Sequence, residues 1–366
     1  MITIRDLSMT YRTAHGEHHA VRGVSLDIQQ GAFYTLLGPS GCGKTTILRC
    51  VAGLERPDAG EIMIGGELVF SAARGIWVPP HQRNIGMVFQ SYAIWPHMTV
   101  FENVAFPLRH KRPRPTRAEI RERVRRALLL VHLDGLEARP APYLSGGQQQ
   151  RLALARALVS EPRVLLLDEP LSNLDAKLRE EMRFEIRQVV DRLGVTTLFV
   201  THEQIEALTM SDVMAVMKDG LIVQEGAPSA IYTQPAETFV ADFIGRTNFL
   251  KGWVSAVEEG GEAPLALVAT AIGALTCRVE AGTRQGDEIT LAVRPENVAI
   301  VADEGDAANC IGGSVETVVY VGNLLDCVVA IGDERIRLQL HPSVTLGRGA
   351  SVQLHFPIEH CLAMRR

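Results

Sequence analysis

Short apolar runs alternate with stretches of helical periodicity through the first two thirds of the chain. The runs at residues 32–37, 85–89, 164–167 and 196–200 predict strands. Strands that are apolar at nearly every position are typical of a parallel sheet covered on both faces. Up to about residue 236, the pattern therefore predicts an α/β domain built on a parallel sheet.

The pattern changes beyond about residue 240. Residues 268–279, 288–301, 313–331 and 336–340 are rich in Val, Ile and Thr and are punctuated by Gly. Such segments are typical of small antiparallel β structure, and they predict a compact all-β barrel domain. We place the boundary near Pro235, with one domain at 1–236 and a second at 237–366.

A basic, proline-containing segment at residues 109–126 leads into a predicted helix. Thr116 and Glu119 form a capping-box pattern. One face of this helix is apolar, at Ile120, Val124, Leu128 and Val131. The other face is basic, at Arg117, Arg121, Arg123 and Arg125. That basic face is either a solvated surface or a contact site for membrane headgroups or a partner.

Composition limits the function classes. The 366 residues suffice for about two domains, and 37 Lys and Arg against 42 Asp and Glu give a net charge of −5, which argues against a general nucleic-acid binder. Six cysteines are scattered without a Cys-x-x-Cys pair, so neither a zinc site nor a disulfide framework is expected. We find no apolar run near the roughly 20 residues of a membrane span, and residues 2–6 alternate like a strand where a secretory signal would be apolar. We expect a cytosolic protein.

The strongest local motif follows the first predicted strand of the sheet. Its sequence fits the phosphate-binding pattern Gly-x-x-x-x-Gly-Lys-Ser/Thr, and a helix is predicted from Thr46 to residue 52. Backbone N–H groups would converge there on phosphate oxygens, with Lys44 reaching the β- and γ-phosphates and the Thr45 hydroxyl ligating magnesium. The loop comprises Gly38, Pro39, Ser40, Gly41, Cys42, Gly43, Lys44 and Thr45.

Two carboxylates follow the apolar run at 164–167. Asp168 and Glu169 would lie at the carboxyl end of a buried strand, where ligands bind in open α/β sheets. Asp168 is predicted to hold the magnesium shell. Glu169 is predicted to orient or deprotonate the attacking water. Without the phosphate loop, these acids could equally cap the turn that follows.

A second anion-binding pattern occurs at Leu144, Ser145, Gly146, Gly147 and Gln148, directly before a helical stretch at 149–159. Ser145 is a good N-cap residue, and the two glycines expose backbone donors at the start of a helix. The chain therefore has two predicted phosphate-binding helix ends.

Together these motifs resemble the ATP-binding cassette (ABC) ATPases. The resemblance covers residues 1 to about 236 and includes Gln90 after an apolar strand, residues 172–175 and His202. It implies that Gln90 contacts magnesium and the attacking water, that His202 touches the γ-phosphate and that Asp175 lies at a dimer seam. It also implies that Tyr11 stacks on adenine. Taken singly, Gln90, His202 and Tyr11 could each have an ordinary structural role.

The resemblance and the spacing of the motifs both predict a dimer. A helical insertion at 101–139, within a helical subdomain at about 91–160, should carry the loop at 144–148 away from the chain's own phosphate loop. Each chain would then have half of two sites, and two copies arranged head to tail would complete both around ATP. ATP binding would close the pair and hydrolysis would release it.

Similarity over nearly the whole chain narrows the type of ABC ATPase. Residues 86–97 and the rear β region, with Arg294, Pro295 and Glu296, resemble the importer ATPases of the maltose, polyamine and ferric-iron type, whose second domain is a pair of oligonucleotide-binding-like (TOBE) barrels. The resemblance implies that residues 91–106 receive a coupling helix of one of two membrane permease subunits at the cytoplasmic face, although the aromatics there could equally be core. A solute-binding protein would be an indirect partner. Ferric iron or a polyamine is the favoured solute, with sugars, phosphonates and inorganic anions left open. The rivals are a soluble ABC ATPase of DNA repair or translation and a regulatory protein that binds ATP without hydrolysis.

Overall fold

The computed structural model describes residues 1–13, 16–258, 264–301 and 308–365. The chain divides into two compact units, Met1–Ala230 and Ile231–Arg366. This division falls shortly before the boundary near Pro235 that the sequence pattern indicates. The assignment of 1–236 and 237–366 as functional domains stays a prediction.

A six-stranded sheet forms the centre of the first unit. Its strands are β3 (Phe33–Leu37), β7 (Ile85–Val88), β8 (Val164–Asp168), β9 (Thr196–Thr201), β10 (Val213–Lys218) and β11 (Leu221–Gly226). They lie in the order β11-β10-β3-β9-β8-β7, parallel except for β11. The four strands predicted from apolar runs are confirmed as β3, β7, β8 and β9, and every residue of β3, β8 and β9 is buried. Because the strands are parallel, the residues that follow β3 and β8 lie at the same edge of the sheet.

A second, antiparallel sheet packs in the same unit. Its strands are β1 (Ile2–Thr13), β2 (Gly16–Ile28), β4 (Ala59–Ile64), β5 (Glu67–Ser71) and β6 (Ile76–Trp77), in the order β2-β1-β4-β5-β6. Residues of β8 alternate between two cores: Leu165 and Leu167 face the helical side, whereas Val164 and Leu166 face the antiparallel sheet. The central sheet is therefore covered on both faces.

Helices of the first unit cover these sheets. They are α1 (Lys44–Ala52), α2 (Val100–His110), α3 (Arg117–Leu130), α4 (Gly146–Leu158), α5 (Ala176–Leu193) and α6 (Gln204–Met210). Helix α7 (Pro228–Thr233) spans the division between the units, and α8 (Thr238–Phe243) belongs to the second. The predicted start of α4 at residue 149 is wrong by a turn, because a capping box between Ser145 and Gln148 lets the helix begin at Gly146. Likewise, α1 begins at Lys44 and not at Thr46.

Helix α3 confirms its predicted faces. Thr116 and Glu119 form the capping box, and Ile120, Val124 and Leu128 are buried. Of the predicted basic face, Arg117, Arg121 and Arg125 are exposed, whereas Arg123 is half-buried. No helix in the described part of the chain has the length and apolar character that a membrane crossing requires.

The second unit is mainly β structure. A closed barrel is formed by β12 (Asn248–Glu258), β13 (Leu265–Thr270), β14 (Gly273–Arg278), β15 (Glu288–Val293) and β21 (Leu362–Arg365). A five-stranded sheet is formed by β16 (Ala299–Val301), β17 (Cys310–Tyr320), β18 (Leu325–Ile331), β19 (Glu334–Leu340) and β20 (Ser351–His355). Both share one apolar core. In the described residues the second β element is thus a sheet, where the resemblance implied a second barrel.

Candidate active site

The phosphate-binding motif forms a tight loop between β3 and α1. Gly41 and Gly43 have φ angles of +81° and +103°, in the left-handed region that favours glycine. A Cβ atom at Gly43 would lie 2.1 Å from the Ala20 carbonyl oxygen, and one at Gly38 would lie 2.4 Å from the Met217 carbonyl oxygen. The backbone of the loop therefore requires glycine at all three positions, as the sequence pattern predicted.

Lys44 points back into this loop. Its Nζ donates hydrogen bonds to the carbonyl oxygens of Gly38 (2.8 Å) and Pro39 (2.9 Å), and the side chain is buried. The Cys42 Sγ lies 3.7 Å from the same Nζ, and burial raises the pKa of the Cys42 thiol. The ammonium group is thus fixed at the loop, where it could present a positive charge to an anion.

Thr45 and Asp168 meet across the edge of the sheet. The Thr45 Oγ1 donates a hydrogen bond of 3.1 Å to Asp168 Oδ1. Burial raises the pKa of the Asp168 carboxyl, although the hydrogen bond from Thr45 acts in the opposite direction. These two oxygen groups are of the type that binds a hard divalent cation.

The Glu169 carboxylate contacts two other residues that the sequence analysis singled out. Its Oε2 lies 3.1 Å from His202 Nδ1 and 3.3 Å from Gln90 Nε2. Glu169 has a left-handed φ of +43°, and its own N–H donates to the Val200 carbonyl oxygen at 3.0 Å. The backbone at the end of β8 is therefore held by β9 while the carboxylate reaches Gln90 and His202.

The segment after Glu169 supports this arrangement. The Ser172 Oγ donates to the Glu169 carbonyl oxygen at 3.0 Å, and Asn173 Nδ2 donates to the Gln90 carbonyl oxygen at 2.7 Å. Asp175 is the N-cap of α5 and accepts from the Leu178 N–H at 3.0 Å. Asp175 therefore has a structural role within the chain, and its predicted place at a dimer seam stays a prediction.

An open cleft of about 290 Å³ lies over the phosphate loop. It is lined by Tyr11, His18, Ala20, Ser40, Gly41, Gly43, Lys44, Thr45, Thr46 and Glu169. The Tyr11 hydroxyl donates to Glu55 and lies 3.3 Å from Thr46 Oγ1, and burial with the Glu55 bond raises the pKa of Tyr11 to about 12. Sequence reasoning missed His18, which lies opposite Tyr11 in the β1–β2 pair. Only the strand register could have indicated it.

The second anion-binding pattern is at the start of α4 and does not line this cleft. Ser145 Oγ accepts from the Gln148 N–H at 3.4 Å, and Gln148 Oε1 accepts from the Ser145 N–H at 3.0 Å. A Cβ atom at Gly147 would lie 2.9 Å from Leu178 Cδ1, whereas one at Gly146 would meet only Leu174 Cδ2, at 3.7 Å. Gly147 is therefore needed for packing inside the chain, but Gly146 is not.

A phosphate loop follows a parallel strand and precedes a helix, and paired acids lie at the end of β8, which β9 separates from β3 in the same sheet. This arrangement defines a phosphate-loop nucleoside triphosphatase. The family model described as ABC transporter matches residues 21–172, and the model described as TOBE domain matches residues 291–364. Both matches confirm the predicted fold class. The spermidine/putrescine import ATP-binding protein PotA of Rubrobacter xylanophilus is 46% identical over 374 residues, covering 99% of this chain and 94% of that protein. This chain belongs to the ABC transporter ATPases, in the group with a TOBE domain.

Further relatives agree. The trehalose/maltose import ATP-binding protein MalK of Thermococcus litoralis is 50% identical over 289 residues, covering 77% of this chain and 76% of that protein. The solved dimeric structure of MJ0796, a bacterial ABC transporter cassette, is 31% identical, with a TM-score of 0.54, and covers 62% of this chain and 99% of that one. The same cassette has been solved as a dimer in a post-hydrolysis state bound to ADP and Pi. The chain is thus an ATP-binding protein of an ATP-hydrolysing family.

Proposed function

We propose that this chain is the ATP-hydrolysing, energy-coupling subunit of an ABC importer. The observation that carries the proposal is the convergence of Gln90 and His202 on the Glu169 carboxylate beside the phosphate loop. A protein that only bound ATP would not need these three groups together. The relatives named as import ATP-binding proteins match this chain over most of its length, which favours an importer over a soluble ABC ATPase.

Two copies of the chain would form the working unit. The residues at the start of α4 do not line the cleft over their own phosphate loop. The Ser145 hydroxyl and the N–H groups of Gly146 and Gly147 would instead close over a nucleotide held by a second copy. The Gly146 position, open within its own chain, supports this arrangement. The dimeric relative is a precedent for two cassettes in one assembly.

Magnesium is proposed to bind with ATP. Thr45 and Asp168 offer oxygen atoms 3.1 Å apart. The resemblance adds the side-chain oxygen of Gln90, whose Nε2 lies 3.3 Å from Glu169 Oε2. This donor set fits Mg²⁺, which takes few protein ligands together with phosphate oxygens and water. When bound, the ion would neutralise charge on the β- and γ-phosphates.

Hydrolysis would follow from the remaining groups. A water between Glu169 and the γ-phosphate would lose its proton toward the Glu169 carboxylate as its oxygen attacks phosphorus. The bond from phosphorus to the β,γ-bridging oxygen would break, leaving ADP and inorganic phosphate. His202, already 3.1 Å from Glu169, would hold that carboxylate and contact the γ-phosphate. Lys44 would hold the phosphates in place.

The proposed permease partners and the proposed solute are inferred from the family resemblance and from the names of the relatives. Residues 91–106 of each copy would receive a coupling helix from one of two permease subunits. The chain would then act at the cytoplasmic face of the membrane, with a solute-binding protein as an indirect partner. The first relatives are named for spermidine/putrescine import, and this favours a polyamine over ferric iron. A sugar is the second candidate, because a trehalose/maltose relative matches at similar identity.

The test is transport by the complete assembly. The chain, co-purified with its permease subunits and solute-binding protein, is placed in proteoliposomes, and uptake of labelled spermidine is measured together with phosphate release. We expect ATP-dependent uptake that stops with Glu169→Gln. Uptake of maltose or ferric iron in place of spermidine would overturn the solute assignment. Phosphate release that never responds to the permease would overturn the importer proposal.

A further inference from the structure

Arg156 is a charged side chain buried inside the helical subdomain. It lies in the third turn of α4, and only 7% of it is exposed. Burial lowers the pKa of its guanidinium group to about 10, so the group stays charged at neutral pH. No carboxylate of the described residues forms an ion pair with it, and an isolated buried charge is unfavourable unless other groups satisfy it.

The guanidinium group donates hydrogen bonds to the backbone carbonyl groups of two consecutive residues. Nη1 donates to the Ala93 carbonyl oxygen and Nη2 to the Tyr92 carbonyl oxygen, both at 2.5 Å. Tyr92 and Ala93 have φ angles of +61° and +47°. Two successive non-glycine residues in the left-handed region are strained, and the fork of Arg156 holds both in that conformation.

The strained residues Tyr92 and Ala93 follow Gln90 after a single residue, Ser91. The Tyr92 N–H donates to the Phe89 carbonyl oxygen at 2.9 Å, which closes the turn around Gln90. On the other side, Asn173 Nδ2 holds the Gln90 carbonyl oxygen at 2.7 Å. The position of the Gln90 side chain, 3.3 Å from Glu169, therefore depends on how the turn is held.

Arg156 also contacts the aromatic part of the proposed permease groove. Its Cζ lies 4.8 Å from the centre of the Trp95 ring, a cation–π contact. The Trp95 ring in turn packs on Phe106 with centroids 4.2 Å apart. One side chain of α4 thus touches both the turn after Gln90 and the wall of the groove.

We propose that Arg156 is a positioning residue that links α4 and the permease groove to Gln90, and through Gln90 to Glu169. This inference rests on the proposed function. A displacement of Trp95 or of α4 would reach the Tyr92–Ala93 turn through the guanidinium fork and move the Gln90 side chain toward or away from Glu169. Contiguity alone does not prove coupling, so the test is a double-mutant cycle.

The first variant is Arg156→Lys, which keeps the charge but loses the planar fork. In the full chain we expect kcat for ATP hydrolysis to fall by about tenfold or more, because small displacements of catalytic groups slow the chemical step, while KM for ATP stays within about twofold. Arg151→Lys is the matched control. It removes a fork on the same helix, one that binds the Glu185 carboxylate, and should leave kcat nearly unchanged.

The cycle pairs Arg156→Lys with Gln90→Ala. When Arg156 acts through Gln90, the double variant has the kcat of Gln90→Ala alone. A multiplicative loss, or an equal loss in Arg151→Lys, would overturn the proposal. Should Arg156→Lys fail to fold, Trp95→Leu replaces it in the cycle with Gln90→Ala. We again expect the double variant to have the kcat of Gln90→Ala alone. Losses of kcat that multiply would count against the proposal.

A rescue experiment separates positioning from general destabilisation. Glycine adopts left-handed φ without strain, so adding Ala93→Gly to Arg156→Lys should restore part of kcat. No gain in kcat would contradict a role in holding the turn. Because all of these measurements use ATP hydrolysis, a failure of solute uptake would reject the importer proposal and leave the cycle interpretable.

Discussion

The Glu169 carboxylate is the group on which turnover should depend most. Glu169→Gln keeps the shape of the side chain but removes the proton acceptor, so we expect phosphate release to fall by about 10²-fold or more. Glu203→Gln is the control, since Glu203 also lies near His202, with its Oε1 3.9 Å from Nε2. Unchanged phosphate release in Glu169→Gln would exclude Glu169 as the base.

The buried carboxyl of Asp168 should make the free protein less stable at neutral pH. Its pKa is raised by burial, so the folded state holds the proton to a higher pH than the unfolded chain does. The free energy of unfolding then falls as pH rises through the interval between the two pKa values. Asp168→Asn should therefore raise Tm at pH 7.5 in a chelating buffer, and the gain should shrink as the pH approaches 4.

Asp27 provides a control of opposite sign. A hydrogen bond from Arg5 lowers the pKa of the Asp27 carboxyl, so its ionised form stabilises the folded state above the ordinary carboxyl pKa, and that contribution is lost on acidification. Asp27→Asn should slightly lower Tm at pH 7.5. An Asp168→Asn variant that melts at or below the temperature of the native chain would contradict the assigned direction.

At the residue scale, the sequence indicates chemistry more readily than contacts. The phosphate loop was predictable because its glycines and Lys44 act within one short segment. The contact between Gln90 and Glu169 joins residues far apart along the chain, and only the family resemblance suggested that they meet. Neither His18 nor Arg156 belonged to a predicted motif. The register of β1 and β2 brings His18 opposite Tyr11, and Arg156 reaches Tyr92 only through a buried tertiary contact.

The first turn of α4 permits a matched comparison of two glycines. Gly146→Ala fits within its own chain and should preserve or raise stability, by up to about 1 kcal/mol for a glycine replaced in a helix. We nevertheless expect ATP hydrolysis to fall at least tenfold, because the added methyl group would meet nucleotide held by a second copy. The measurements are Tm and phosphate release.

Gly147→Ala should behave differently. Its Cβ would press on Leu178 Cδ1 at 2.9 Å, so this variant should lose stability as well as activity. An active Gly146→Ala variant would contradict the proposed approach of the partner's nucleotide to α4.

At the element scale, sequence-based prediction was most accurate for the fully buried strands. The central strands β3, β8 and β9 are buried at every position, and their uninterrupted apolar runs predicted them within a residue or two. The sequence pattern missed β12, β20 and β21, and it also missed β10, in which four of six residues are buried. In β20 only one of five residues is buried, so its pattern is weak, and its pairing with β17 is a long-range contact.

At the scale of the whole molecule, the proposed sharing of sites makes assembly depend on nucleotide. Glu169→Gln with ATP and Mg²⁺ should have about twice the 40.0 kDa mass of one chain by light scattering, because bound triphosphate is not cleaved. With ADP it should return to one chain mass. A Glu169→Gln variant with Lys44→Ala should remain a single chain under both conditions. Dimers that persist in this double variant would separate assembly from ATP.

The engaged hydroxyl of Tyr11 has a consequence for base selectivity. Its bond to Glu55 leaves the ring face as the surface available to a purine, and stacking on a ring face distinguishes poorly between heterocycles because each has a π surface. We expect GTP to be hydrolysed with a kcat within a few fold of that for ATP. A strong preference for ATP over GTP would mean that another group of the protein recognises the exocyclic amine of adenine.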